Sequence, residues 1–144
     1  MLKVLIGLYD HGGQLLVNDI PSHLYKRGQL HHRTTACFQE YSKYVTSLRN
    51  NISLGRLAQD DESDAHILTA LSRAEGESIV NKIGLDANLD PWSVGSDVEN
   101  SSATELGTRM AENGFQALSL GQWQKISLAR GFLTSDHADL VVFE

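Results

Sequence analysis

Cysteine is almost absent from this chain. Cys37 is the single one in 144 residues, so no internal disulfide can form, and a reducing compartment is the default reading. Its place in the apolar run Ala36-Cys37-Phe38 makes it a buried strand residue, not a reactive thiol. Long apolar runs are absent too. The N-terminal one is interrupted by Lys3 and ends by Tyr9, far short of the roughly 20 residues of a membrane helix. No small-residue cleavage site follows it, so a signal peptide is not expected. Positive charge is in deficit: 12 Lys and Arg stand against 18 Asp and Glu, for a net charge of −6. That argues against a nucleic-acid partner, whose usual footprint is a basic face. Histidine offers no zinc site, because His23 and the pair His31-His32 have no cysteine or carboxylate at ligand spacing and read as a solvated loop. No Ser/His/Asp or Cys/His order stands out. What remains, 41% hydrophobic and 21% charged, describes one soluble globular domain.

Apolar spacing then divides the chain. Leu2, Leu5, Ile6 and Tyr9 fall at helical intervals, and His11-Gly12-Gly13 stops that helix. Leu15-Leu16-Val17 reads as a strand and Asn18-Asp19 as a turn. Thr34 to Phe38 is β-branched and apolar, a second strand. Asp60, Asp61, Glu62 and Asp64 place acids at the start of a helix carrying Leu68, Leu71 and Ala74, where they suit its dipole; Gly76 stops it. A shorter helix covers 77–83. From Asp86 to Asn113 the chain is rich in Ser, Asn and Gly, contains Pro91, and reads as one long loop. Ile126, Ala129 and Leu133 mark one face of a later helix. Leu140 to Phe143 is apolar on both pleat faces, as a buried parallel strand must be. There is no internal repeat. Strand, helices and apolar strand in this order give an α/β chain, with a mostly helical insert from about Arg49 to Asp136.

Leu118-Ser119-Leu120-Gly121-Gln122-Trp123-Gln124-Lys125, at the start of that later helix, is the most informative stretch. Ser-x-Gly-Gln at a helix start offers a hydroxyl, a flexible turn and unpaired N–H groups, which together suit a phosphate. Ser119 followed by Gln122 is also a capping box, which stabilises helices that touch no ligand. The residues alone leave both readings open.

Five segments together resemble the ATP-binding-cassette (ABC) ATPases. Leu118 to Arg130 is similar to their signature motif, L-S-G-G-Q, and the helix after it. Ala138 to Glu144 resembles the strand that follows. Thr34 to Glu40 resembles the strand into the Q-loop, with Gln39 as its glutamine. Arg49 to Gly55 resembles the R-E-N-I-x-x-G string found after many Q-loops, and Gly13 to Ile20 an early strand and turn. They occur in the family's order and cover nearly the whole chain.

The resemblance implies a P-loop NTPase (ABC ATPase-like) core, incomplete, with a mostly helical subdomain. The core would take 1–48 and 137–144, and the subdomain with the signature 49–136. It implies ATP and Mg²⁺ as ligands. Ser119, Gly121 and Gln122 would meet the γ-phosphate of ATP held by a second ABC ATPase domain. Gln39 would touch Mg²⁺ or the attacking water, although a loop glutamine alone reads as solvent-facing. Glu144 falls in the Walker B aspartate slot, where it would organise Mg²⁺ with a side chain one methylene longer. Leu120 replaces the family's first signature glycine and narrows the approach to phosphate. The family's Walker A loop, Gly-x-x-x-x-Gly-Lys-Ser/Thr, does not occur in this sequence. Nor do the catalytic glutamate, D-loop and switch histidine that follow Walker B. The chain is therefore expected to be the middle of a longer ATPase domain and inactive alone. Its implied partners are transmembrane transporter domains at the cytoplasmic face of a membrane.

Two departures bear on the branch of the family. Glu112 to Leu118 has one residue more than the exporter form of the string before the signature. The interval from Gln39 to Ser119 carries no heptads, unlike the long coiled coils of DNA-repair and chromosome-organising ATPases, which favours the transporter-like branch. A non-catalytic, degenerate cassette that lends only its signature face to a partner is the alternative to an ATPase half-site.

Overall fold

The computed structural model describes residues 2–6, 9–10, 12–26, 28, 33–38, 40–54, 63–94, 113–136 and 138–143. The N-terminal helix, α1 (Leu2–Leu5), is one turn long, shorter than its spacing predicts. Ile6 is buried but Tyr9 is 61% exposed; a single turn gains too little from packing to propagate further. Next comes a small antiparallel hairpin, β1 (Leu16–Val17) with β2 (Ile20–Pro21). Asn18 and Asp19 take φ of 51° and 61°, the left-handed pair that a two-residue hairpin turn needs. The expected strand and turn are both in place.

The central strands are β3 (Thr34–Cys37) and β6 (Leu140–Phe143). They run parallel, in register from Thr34↔Leu140 to Cys37↔Phe143. Between them in sequence lie α2 (Leu48–Ser53), α3 (Asp64–Arg73), α4 (Glu77–Ile83), β4 (Leu89–Val94), β5 (Gln116–Leu118) and α5 (Leu120–Ser135). A parallel strand pair linked through a helix-rich crossover makes this an α/β fold. The apolar core lies among α2, α3, α4 and α5, with Leu48, Ile52, Ile67, Leu71, Ile79, Trp123 and Ile126 at its centre.

Four expectations are corrected. Leu68 does not face the core; it is 42% exposed, while Ile67, Ala70, Leu71 and Ala74 are buried. That set is the i, i+3, i+4, i+7 stripe of the same helix, one position round from the expected one. Gly76 is not the residue that turns α3 out of its helix. Glu75, at φ 55°, is. The N–H of Gly76 donates to Leu71 O at 2.7 Å and that of Glu75 to Ser72 O at 2.9 Å, the paired closure of a Schellman motif. Gly76 is needed for space, because a Cβ there would sit 2.9 Å from Leu71 Cδ2.

The loop expected from Asp86 to Asn113 contains β4, paired parallel with β5 through an irregularity between Asp90 and Val94. The buried Asp90 carboxylate accepts the Trp92 N–H at 2.9 Å. This local turn accommodates Pro91, which has no N–H for a ladder. Finally, β6 is parallel as expected but not buried on both faces. Val142 is buried, whereas Leu140, Val141 and Phe143 are partly exposed. Among the described residues β6 pairs only with β3.

Helix α5 reaches the sheet through small residues. Thr35 and Thr134 share a hydroxyl hydrogen bond of 2.8 Å, and the rings of Phe132 and Phe143 lie 5.7 Å apart. Gly131 lies against Cys37 so closely that a Cβ on it would overlap the Cys37 Sγ. Cys37 is buried, as its apolar run implies, and burial pushes its thiol pKa up. We expect Gly131→Ala to cost about 1–3 kcal/mol through overpacking. Cys37→Ala in the same chain should restore most of that loss, because the added methyl then occupies the vacated sulfur position. Urea unfolding of the two single variants and the double checks this; equal destabilisation of Gly131→Ala in both backgrounds would contradict it.

Candidate functional site

The site forms where β5 runs into α5. Leu118 is buried at the end of β5 and Ser119 takes extended backbone angles, φ −67° and ψ 161°. The chain then winds directly into the 16-residue helix α5. The Gln122 N–H donates to Ser119 Oγ at 3.3 Å, and the Ser119 N–H donates back to Gln122 Oε1 at 2.9 Å. The capping box read from the sequence is therefore formed. It ties down the serine hydroxyl and the Gln122 amide oxygen in a fixed orientation at the positive end of a helix.

Two further features decide what can approach. A Cβ built on Gly121 meets nothing within 4 Å, so the backbone of this first turn is open to solvent. Leu120 is 60% exposed, an apolar side chain standing beside that opening. One turn later Trp123 is buried, and its indole N–H has no acceptor among the described residues. Below it, Ile126, Ala129 and Leu133 are buried on the face that the sequence marks; Trp123 completes that face and its apolar period did not announce it.

The segment after β3 lies along this helix. The Tyr41 hydroxyl donates to Leu120 O at 2.9 Å, and burial pushes the Tyr41 pKa up. Lys43 Nζ sits 5.9 Å from the Trp123 ring centroid. Arg130 donates to Asn51 O, Asn51 Oδ1 and Ser42 O, and lies 5.2 Å from the Tyr44 ring centroid. Sequence reading missed Arg130 and Asn51 as individuals. Asn51 had one signal, an amide between the apolar Leu48 and Ile52 in a short helix.

Of the candidate residues, Ser119, Gly121 and Gln122 come together at the start of α5. Gln39 and Glu144 lie outside the described residues. They follow β3 and β6, whose last residues, Cys37 and Phe143, are register partners. Among the described residues no group of three or more His, Cys, Asp or Glu is placed to hold a metal ion. None of the described helices is long and apolar enough to cross a membrane.

This arrangement, a parallel strand pair bracketing a helical segment with a capped Ser-x-Gly-Gln helix start, is similar in fold to part of a solved ABC exporter. Among curated proteins the chain is similar to two transport ATP-binding proteins. It is 29% identical over 133 residues to the subtilin transport ATP-binding protein SpaT of Bacillus subtilis, a match covering 91% of this chain and 19% of that protein. It is also 29% identical over 138 residues to the nisin transport ATP-binding protein NisT of Lactococcus lactis, covering 92% of this chain and again 19% of the relative. The chain thus spans about a fifth of the length of these relatives. In three dimensions it superposes on a bacterial Atm1-family ABC exporter solved with ATP bound, with a TM-score of 0.71 and 18% identity. That match covers 99% of this chain and 21% of that one. No family model matches the chain.

The capping geometry sets a stability expectation. Ser119→Ala should destabilise by about 1 kcal/mol, whereas Ser119→Asn, an equally good cap, should stay within a few tenths. Chemical denaturation of both variants measures this. No loss in Ser119→Ala would mean that the box contributes nothing to α5, and equal losses for Ala and Asn would mean that the loss does not come from capping.

Proposed function

We propose that this chain serves ATP binding and hydrolysis within an ABC-type nucleotide-binding domain that energises transport across a membrane. The observation that carries the reading is the start of α5, where a capped Ser119 adjoins the open backbone of Gly121. A helix N-terminus supplies donors and a positive dipole end for a phosphate. Ser119, Gly121 and Gln122 would present that end to the γ-phosphate of ATP held by a second ATPase domain. The site is then completed only in a dimer across the nucleotide. The names of the relatives and the shared fold support this assignment.

In this reading 1–48 and 137–144 belong to the nucleotide-binding core and 49–136 to the helical subdomain. Gln39 and Glu144 would attend the Mg²⁺ that accompanies ATP, a cation that neutralises phosphate charge when bound. The transmembrane partner would keep the assembly at the cytoplasmic face of the membrane. A second reading, a degenerate cassette that lends only its signature face, draws support from Leu120. An exposed leucine crowds the phosphate's approach where a glycine would leave it clear.

The 144-residue chain contains no Walker A sequence to cradle the β- and γ-phosphates, so alone it should show no measurable ATP binding or hydrolysis. The informative assay mixes it with an intact ABC ATPase whose own signature serine has been changed to arginine. Wild-type chain should raise ATP turnover, and Ser119→Arg should abolish the rise. Ser119→Asn, with its cap intact, should lower the rise roughly tenfold or more, the effect of losing one hydrogen bond to a charged group. Leu120→Gly should increase it. Tight Mg²⁺-dependent ATP binding by the isolated chain, or stimulation indifferent to Ser119→Arg, would place the nucleotide elsewhere.

A further inference from the structure

Arg130 is a partly buried cation whose three hydrogen bonds all end on uncharged oxygens. Nε reaches Asn51 O at 2.5 Å, one Nη reaches Asn51 Oδ1 at 2.8 Å and the other reaches Ser42 O at 2.6 Å. Burial lowers its pKa below the usual arginine value. Placing a guanidinium among neutral acceptors is a poor way to gain stability. It is a good way to fix geometry, since the planar fork aims its donors in set directions.

The acceptors come from both ends of one stretch, 42–51. Asn51 is fully buried, and its amide Nδ2 donates to the carbonyls of Tyr44, Thr46 and Ser47 at 3.0, 3.2 and 3.1 Å. Asn51 thus closes the stretch on itself while its oxygens face Arg130. At the far end of α5, Tyr41 holds Leu120 O. Leu120 and Arg130 are separated by about 15 Å of helix at 1.5 Å rise per residue. One segment is therefore fastened to one rigid helix at two distant points, and the second point is the residue next to Ser119.

We propose that Tyr41, Asn51 and Arg130 are positioning residues that make the 41–51 stretch and α5 a single rigid unit, so that displacing the stretch displaces Ser119. The functional consequence rests on the phosphate-contact reading of Ser119; the mechanical claim does not. Asn51 cannot be exchanged for aspartate in this scheme. A carboxylate would keep Arg130 but lose every donor to the three carbonyls.

Amide hydrogen exchange on the whole chain tests the mechanical claim. Tyr41→Phe removes one exposed hydroxyl tie and should leave the melting temperature unchanged. It should raise exchange about tenfold at Gln122 and Trp123, whose N–H groups bond Ser119. Arg130→Met should raise exchange both in 42–51 and at the start of α5, and Arg130→Lys should recover only part of the protection. Faster exchange confined to 42–51, or a uniform rise that also reaches Leu71 and Ala74 in the α3 region, would reduce Arg130 to local or general stability and overturn the proposal. In the mixed assay with an intact ATPase, Arg130→Met should depress stimulation as Ser119→Arg does. Stimulation lost in Ser119→Arg but unchanged in Arg130→Met overturns the coupling. Absence of stimulation by the wild-type chain tells against the phosphate reading, and the exchange pattern then still decides the clamp.

Discussion

Helix α5 buries Trp123, Ile126, Ala129 and Leu133 along one side, and the helical core is arranged against that stripe. Helices α2 and α3 supply Leu48, Ile52, Ile67 and Leu71 opposite it, and β3 packs on a neighbouring face of the helix, through Thr35 at Thr134 and Cys37 at Gly131. Burying such a set of aliphatic and aromatic side chains is worth about 1.5–3 kcal/mol for each large one. That makes the placement of α5 far stiffer than any hydrogen bond at its start. The Ser119 cap inherits its position from this packing: the stripe holds the helix, and the helix holds the serine.

The polar contacts around α5 have a different character. Surface pairs such as Arg33 with Asp139, side chains more than half exposed, contribute little, because water and salt screen them. Arg49 bridges Asp64 and Asp86, and both carboxylates raise its pKa. These are exposed and screened. The Arg130–Asn51 network is partly buried and directional, and it connects the segment after β3 to the same helix that carries Ser119. Packing and directed hydrogen bonds therefore converge on one element, and α2 supplies both.

Much of this was legible in the residues, for identifiable reasons. The capping box was readable because Ser119 and Gln122 satisfy a three-residue spacing rule that local chemistry enforces. The 77–83 helix and the Asn18-Asp19 turn follow from similarly local signals. Misreadings arose where tertiary contact decides. The buried stripe of α3 includes Ile67 in place of Leu68, because rotation of a helix is set by what it meets. β4 was hidden because Pro91 and its polar neighbours favour a loop, and only pairing with β5 and the Asp90–Trp92 turn make it a strand. The exposure of Val141 and Phe143 could not be read from an apolar string, which is the same whether or not a neighbour covers it. At the site, Ser119, Gly121 and Gln122 emerged through a string shared with a family. Arg130 and Tyr41 act across long sequence separations, and no local pattern marks them.

The proposed role of the α5 start is to meet the terminal phosphate of a nucleotide held by a separate ATPase domain. Photo-crosslinking with an ATP analogue carrying its reactive group on the γ-phosphate tests this most directly. The chain would be mixed with an intact ABC ATPase that binds but cannot hydrolyse ATP, irradiated, and mapped by peptide mass analysis. Labelling of this chain is expected within Ser119–Gln122 and should be suppressed by excess unlabelled ATP. Labelling of the intact partner alone, or of this chain only at residues remote from the α5 start, would contradict it.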